Sequence, residues 1–411
     1  MGDRDRGDSK AVDTTMRAVV TDGRGGLRPT KVARPVPASD GALVRVLACG
    51  FCGSDLEKLA PLRAAPAAAE PGRVLGHEVV GVLEQPGQPP RRVALAHHVP
   101  CGRCDLCLTG HSSLCAQFVA TDLDPGGFAE YLAVSAAHLD DAVFDLPDHV
   151  DDLTGTLLEP LSCVLRGLDV AAAALRDSFP APGVRGAAGS GVAAAAGPSA
   201  AAFGGAAPGS GAYPAPKAAP GAPTDGVPTA TGTSAVRIAP LAAPTVLVAG
   251  CGSVGLLFLS VVAAAEVDAP LWAGARALFL ERDPERAAMA AGLGARAAGE
   301  GDLADVAVVT APATLGEVVA RMAPGGVVVV FAAGDRVAGA DFDLDTFYRS
   351  ELTLVGVRSG SPGHLRWALA LLAGGRLPLD WFHPEVATME GLADAALRYA
   401  RGETLKVVMR P

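Results

Sequence analysis

Four of the eight cysteines in the chain lie close together, at Cys101, Cys104, Cys107 and Cys115. Their spacing is C-x2-C-x2-C-x7-C, and four thiolates within reach of one loop match a tetrahedral zinc ion. Such a site keeps no open coordination position, so we predict that it is structural. A zinc ribbon that binds nucleic acid is the competing interpretation, and the single metal knuckle and the acidic composition argue against it.

A second set of candidate ligands is spread more widely along the chain. Cys52 lies in CGFCGSDLE, His77 in GHE and Glu159 in LLEPLSC. A catalytic zinc needs a few sulfur, nitrogen or oxygen ligands and one open position for water or substrate, which these three side chains could supply. Each fragment alone is weak evidence, because a lone Gly-His-Glu is more often a histidine at a strand edge. The hypothesis rests on the occurrence of all three fragments in this order.

The glycines of VLVAGCGSVG indicate a dinucleotide-binding loop. They have GxGxxG spacing between a predicted strand and a predicted helix, where glycine permits a tight turn and close approach of a pyrophosphate. A structural glycine turn is the alternative. An acidic residue at the end of the next strand accepts hydrogen bonds from ribose hydroxyls and repels a 2′-phosphate, so Glu281 favours NAD over NADP, although Arg282 beside it weakens this preference. The predicted cofactor-binding residues are Gly250, Gly252, Ser253, Val254, Gly255 and Glu281.

Composition and charge narrow the class of protein. The net charge of −10 argues against a nucleic-acid partner, because that affinity rests on Lys and Arg. No apolar run reaches the roughly 18 to 20 residues that span a bilayer, and the charged start MGDRDRGDSK has no apolar signal region behind it. We therefore expect a cytoplasmic protein with a small-molecule partner, in which clustered cysteines bind metal more readily than they form disulfides.

These residues need two domains to position them, as the length of 411 residues also suggests. Short apolar runs broken by glycine and proline predict a β-rich domain, and β-branched runs that alternate with helical segments predict a doubly wound parallel sheet, so the fold class is α/β. A segment rich in Ala, Gly and Pro predicts a mostly disordered insertion. The predicted order is a disordered tail at 1–15, the β-rich domain at 16–160, a connecting helix at 161–175, the insertion at 176–243, the parallel-sheet domain at 244–352 and a return to the first domain at 353–411.

Taken together, the ordered motifs CGSD, GHE, the cysteine loop, EPL and GxGxxG resemble the zinc-dependent medium-chain alcohol dehydrogenase superfamily, and within it the polyol, threonine and glucose dehydrogenase branch. The resemblance covers almost the whole chain outside the tail and the insertion. It implies a GroES-like catalytic domain beside a Rossmann domain, and hydride transfer between NAD(P) and the secondary alcohol or ketone of a polyol, sugar or amino alcohol. It also implies a homodimer or homotetramer.

The resemblance implies roles for individual residues. Cys52 and His77 match the catalytic zinc ligands, and Glu159 matches the glutamate ligand of the polyol branch. Glu78 matches the family's acidic residue near the metal, which can exchange with the water.

Two further matches lie beside Cys52. Asp55 matches the carboxylate that orients the ligand histidine through its other ring nitrogen, and Ser54 matches the hydroxyl that takes the substrate proton.

The chain also departs from the family. Glu57 stands where many members have a proton-relay histidine, PRRV at 90–93 replaces the usual GDRV, and members normally lack the insertion.

Two other functions remain open at this stage. A zinc-independent quinone or enone reductase of the same superfamily would lack the ligand set of Cys52, His77 and Glu159. A non-catalytic protein that senses NAD through the Rossmann domain would need at most one zinc ion, whereas the dehydrogenase should hold about two.

Because the insertion at 176–243 has almost no large apolar residues, we expect its truncation to leave the fold and the activity intact. Circular dichroism and turnover of the truncated chain check this. Loss of the fold would show that the segment is structural.

Overall fold

The computed structural model describes residues 14–59, 70–178, 243–268, 272–332 and 342–411. The predicted tail up to residue 13 and nearly all of the predicted insertion lie outside these residues. All described residues belong to one compact unit, which is built from residues 1–179 and 241–411. No helix within the described segments is long and apolar enough to cross a membrane.

The first part of the chain forms seven strands and six helices among the described residues. Its apolar runs become strands where β-branched residues alternate with smaller ones, and several of its glycines lie in the turns between them. In chain order the elements are β1 (Thr15–Thr21), β2 (Leu27–Ala33), β3 (Ala42–Phe51), α1 (Gly53–Glu57), β4 (Glu78–Glu84), β5 (Arg91–Leu95), α2 (Asp105–Leu108), α3 (Ala116–Ala120), β6 (Tyr131–Val134), α4 (Ala136–Asp141), β7 (Val143–Asp145), α5 (Asp152–Gly155) and α6 (Leu158–Ser178).

The second part forms a six-stranded sheet in which every pairing is parallel. Its strands run in the order β10-β9-β8-β11-β12-β13, which is the strand order of a Rossmann fold, and the order reverses between β8 and β11. Its elements are β8 (Thr245–Ala249), α7 (Ser253–Asp268), β9 (Arg276–Leu280), α8 (Pro284–Gly292), β10 (Arg296–Ala297), β11 (Ala304–Val309), α9 (Leu315–Val319), β12 (Met322–Val330), α10 (Leu344–Arg349) and β13 (Thr353–Gly356).

The last part of the chain returns to the first sheet. It forms α11 (Pro362–Gly374), β14 (Glu385–Ala387), α12 (Leu392–Ala400) and β15 (Val407–Met409). The sheet order is β14-β15-β3-β4-β5-β7, with β6 beside β3, while β1 and β2 form a separate hairpin. The α/β class with a β-rich domain and a doubly wound sheet is therefore confirmed.

One predicted boundary was wrong. We placed the start of the return at residue 353, but β13 pairs in parallel with β12 and completes the six-stranded sheet. The pattern TLVG is too short for its alternation to show which sheet it joins.

Helix α6 belongs to the cores of both sheets. Leu161 and Leu165 are fully buried, and they share one hydrophobic cluster with Val80 of β4 and Val246 of β8. The predicted connecting helix is thus a packed element, and side chains along it have fixed positions relative to both domains.

Candidate functional site

Three predicted site residues gather beside the end of β3. Cys52 precedes α1, while His77 immediately precedes β4 and Glu78 is its first residue. One ligand atom of each, the thiol sulfur, a ring nitrogen and a carboxylate oxygen, lies within 4.8 Å of the other two. This is a donor set that zinc accepts, and the residues come from two loops far apart in sequence.

Asp55 fixes the orientation of His77. Its carboxylate lies 3.5 Å from His77 Nδ1 and accepts hydrogen bonds from the backbone N–H groups of Cys52, at 3.0 Å, and Gly76, at 3.3 Å. Burial opposes ionisation, but the charge of His77 and these hydrogen bonds lower the pKa of Asp55 below its usual value. An ionised Asp55 accepts a hydrogen bond from the N–H at Nδ1, which leaves the other ring nitrogen free for a metal.

Glu78 is held by a lysine from the far end of the chain. Lys406 Nζ donates to Glu78 Oε1 at 2.7 Å, and both side chains are buried. Burial lowers the pKa of Lys406, but the charges of Glu78, Cys52 and Tyr399 and the hydrogen bond to Glu78 together raise it overall. A side chain at Gly50 would clash with Glu78, because its Cβ would lie 1.9 Å from the carboxylate.

Glu159 lies near this group but outside it. It is the second residue of α6 and is buried, and the group of mutually close ligand atoms does not include its carboxylate. Burial raises the pKa of Glu159, and the charge of His77 acts in the opposite direction. The Cys163 thiol, one helical turn further on, donates to Glu159 Oε1 at 3.3 Å.

The four cysteines of the opening motif do come together. The sulfur atoms of Cys101, Cys104, Cys107 and Cys115 all lie within 4.8 Å of one another. The backbone N–H of Cys101 donates to the Cys115 sulfur and contributes most to lowering the pKa of that thiol, to about 6. Burial, by contrast, raises the pKa of Cys107 to about 12. Four sulfurs this close together are the ligand set that a closed zinc site requires.

A buried arginine connects the cysteine loop to the rest of the molecule. Arg166 of α6 is 7 % exposed and donates to two groups of the cysteine loop, Ser113 Oγ at 3.1 Å and Gly110 O at 2.9 Å. It also donates to the carbonyls of Arg358 at 2.7 Å and Ser359 at 3.2 Å, which follow β13. One guanidinium therefore joins three segments.

The predicted dinucleotide loop lines a cleft of about 670 Å³. Gly250 has a φ of +95°, and a Cβ at Gly255 would lie 1.9 Å from the Gly250 carbonyl, so neither position accepts a side chain. A Cβ at Gly252 would meet nothing within 4 Å, which leaves open space where a pyrophosphate would approach the backbone. All six predicted cofactor-binding residues line this cleft, together with Cys52, Gly53, Ser54 and Glu57 from the first domain.

Glu281 directly follows β9 and lies against the glycine loop. Its carboxylate accepts hydrogen bonds from the backbone N–H groups of Cys251 and Arg282, each at 2.7 Å, and of Asp283 at 3.0 Å. These bonds fix the negative charge directly beside the glycine loop.

The motifs missed several residues near the site. Lys406, Arg166 and His97 carry no spacing signal, because their partners are more than fifty residues away or lie in loops. Tyr399 lines the cleft beside Cys52 and packs edge-on against Phe51. Of these residues, Lys406 could have been noticed in the sequence, because a lysine is unusual inside the apolar run LKVVM.

The fold is a GroES-like domain beside a Rossmann domain. Residues 38–148 match the family described as "Alcohol dehydrogenase GroES-like domain". This match confirms the resemblance that the motifs indicated.

Individual relatives agree with it. The sorbitol dehydrogenase of Arabidopsis thaliana is 37 % identical over 127 residues, which are 29 % of this chain and 34 % of that protein. The L-threonine 3-dehydrogenase of Aeromonas salmonicida (strain A449) is 30 % identical over 142 residues, 33 % of this chain and 40 % of that protein. The chain thus matches between a third and two fifths of the length of these curated relatives. The solved acetophenone reductase of Geotrichum candidum NBRC 4597 in complex with NAD has a TM-score of 0.66 at 16 % identity and covers 98 % of each chain, which shows a shared fold.

Replacement of Arg166 by Met should lower the free energy of unfolding by about 1–3 kcal/mol, because four acceptors, of which Ser113 is buried, lose a charged donor. The cysteine loop should also detach, so trypsin should cleave faster after the exposed Arg103. Chemical denaturation and timed proteolysis measure the two effects. Arg349→Met, at an exposed ion pair, is the control and should change stability by about 0.5 kcal/mol or less. If Arg166→Met and Arg349→Met changed the unfolding free energy and the cleavage rate equally, Arg166 would not be what holds the cysteine loop in place.

Proposed function

We propose that the protein is a zinc-containing, NAD(P)-dependent alcohol dehydrogenase that acts on a secondary hydroxyl of a polyol, sugar or amino alcohol. One observation carries this proposal. Cys52 belongs to the group of close metal-ligand atoms and also lines the cleft that contains the glycine loop. A metal bound by Cys52 and a dinucleotide bound at Gly252 would therefore meet in one cavity.

The side chains present suit two zinc ions. Cys52 and His77 supply the sulfur and nitrogen of a catalytic site, and a carboxylate supplies the third ligand. Glu159 is the family's choice for that ligand, and Glu78 is already paired with Lys406, so we assign the role to Glu159. The four cysteines of the loop hold the second, structural ion.

The remaining residues orient the substrate and move its proton. Bound zinc supplies a Lewis acid for the hydroxyl oxygen and NAD supplies a hydride acceptor. Asp55 keeps His77 in the tautomer whose other nitrogen can bind metal. Ser54, at the wall of the cleft, takes the substrate proton as its own hydroxyl proton passes to water in the cleft. Glu57, three residues further along α1, lines the same cleft.

NAD is the cofactor that the site favours. The charge of Glu281 faces the glycine loop, where it would repel a 2′-phosphate.

The sorbitol and L-threonine dehydrogenases among the relatives support a polyol or amino alcohol as the substrate class. A homodimer or homotetramer stays a prediction.

The metal content should separate the two zinc sites. The unmodified protein should hold about two zinc ions per chain. Cys52→Ser should lose about one zinc and all turnover and keep its fold, whereas Cys104→Ser should lose the structural zinc and chiefly stability. Elemental analysis, turnover and thermal unfolding measure this, with Cys49→Ala, a buried cysteine outside both groups, as the control that keeps both ions. Near-normal turnover of Cys52→Ser would end the proposal.

The cofactor preference should follow the charge of Glu281. In Glu281→Gln the amide oxygen can still accept from Cys251 N, but the charge is gone. The ratio of kcat/KM for NAD to that for NADP should therefore fall by about tenfold, or about 1.4 kcal/mol. Glu285→Gln, an exposed residue on α8, is the matched control and should leave the ratio unchanged. An unchanged ratio in Glu281→Gln would contradict the assigned role.

A further inference from the structure

His97 is the histidine near the site whose ring makes no hydrogen bond to any described residue. It lies two residues after β5, and its Nδ1 is buried without a partner. The rings of two neighbouring histidines, His98 and His138, do have partners. The ring of His98 contacts the carbonyl of Thr121, and Nε2 of His138 donates to the backbone carbonyl of His97 at 2.9 Å. The backbone of His97 is therefore fixed while its ring remains unsatisfied.

The ring of His97 lies against the proposed metal site. Its centroid is 4.5 Å from that of His77, with the two planes tilted by 45°. No nitrogen of His97 belongs to the group of close ligand atoms that Cys52, His77 and Glu78 form. His97 is thus next to the reacting position without being placed as a ligand.

A small cavity opens beside the His97 ring. It has a volume of about 10 Å³, enough for one water-sized group, and its wall includes Glu159, Ser162, Ser359 and Gly360. The hydroxyl of Ser162 donates to the Glu159 carbonyl at 2.7 Å, so that polar group is already satisfied. Among the described residues that line this cavity, His97 carries a buried side-chain atom without a hydrogen-bond partner, its Nδ1.

An unpaired buried nitrogen destabilises the folded protein, so an occupant that forms a hydrogen bond with it is expected. A neutral imidazole has one donor and one acceptor, which match a hydroxyl group. The occupant is either a water molecule or a hydroxyl of the substrate. His97 packs on His77, and Glu159 lies in the wall of the cavity, so a group bound in the cavity would lie beside two of the proposed zinc ligands.

Building on the proposed function, we propose that His97 is a specificity-determining residue that binds a second hydroxyl of the substrate, on the carbon next to the reacting carbon. The enzyme then prefers vicinal diols and polyols to alcohols with a single hydroxyl. The preference arises because a substrate without the second hydroxyl leaves the His97 nitrogen unpaired or dependent on a trapped water.

The sharpest test uses two substrates that differ by one hydroxyl, butane-2,3-diol and butan-2-ol. Unmodified holoenzyme should turn over the diol with the higher kcat/KM. His97→Phe keeps the ring but removes both nitrogens, so it should lower kcat/KM for the diol by about tenfold to a hundredfold and leave butan-2-ol within about threefold. His97→Asn places an amide near Nδ1 and should restore most of the diol activity.

The zinc content of each variant separates this role from others. Both His97 variants should keep about two zinc ions per chain, and loss of one ion would make His97 a ligand and overturn the proposal. Equal losses for both substrates, or no diol preference in the unmodified enzyme, would show that the cavity holds water alone and would also overturn it. If the unmodified, zinc-loaded enzyme oxidised no alcohol with either cofactor, the proposed function itself would fail, which is a different result.

Discussion

The buried ion pair between Glu78 and Lys406 joins the start of β4 to the segment just before β15 at the proposed site. Removing two charges from water is costly, and it is tolerated only when the charges are paired in good geometry. The pair therefore requires that the segment before β15 lie against the start of β4. His77 is the residue next to Glu78, so this one constraint also fixes the backbone that carries a proposed zinc ligand. The space for the pair exists because Gly50 has no side chain.

Helix α6 extends this constraint to the second domain. Its buried leucines pack on both sheets, and its polar residues are spaced so that Glu159 lies near His77 while Arg166, two turns later, holds the cysteine loop. The helix thus links the proposed catalytic ligand, the structural loop and the segment at 358–360 that lines the His97 cavity. The packed apolar residues make helix α6 rigid, and its polar residues determine which segments it contacts.

The sequence allowed the prediction of features that depend on local spacing. The glycine loop and the four cysteines are each formed within one short segment, so their residue intervals predict their geometry. The order of motifs predicted that Cys52, His77 and Glu159 gather, and the family resemblance implied Glu78 beside them. Cys52, His77 and Glu78 form the group of close ligand atoms, whereas Glu159 lies outside it. Lys406 and His97 could not be predicted in the same way, because their surroundings come from segments that approach only after folding. The position of β13 was missed because four residues do not show to which sheet a strand belongs.

The two proposed metal sites differ in what holds them together, and this difference explains their separate roles. The cysteine loop needs only its own turns and the Arg166 bonds, so it can form as a closed shell at the edge of the molecule. The Cys52 site needs the end of β3, the start of β4, helix α6 and the return of the chain at Lys406. A site assembled from so many rigid segments can keep one coordination position open without collapse, because no single loop is free to move in and fill it. Such an open position, next to a cleft for a dinucleotide, is what hydride transfer from a bound alcohol requires.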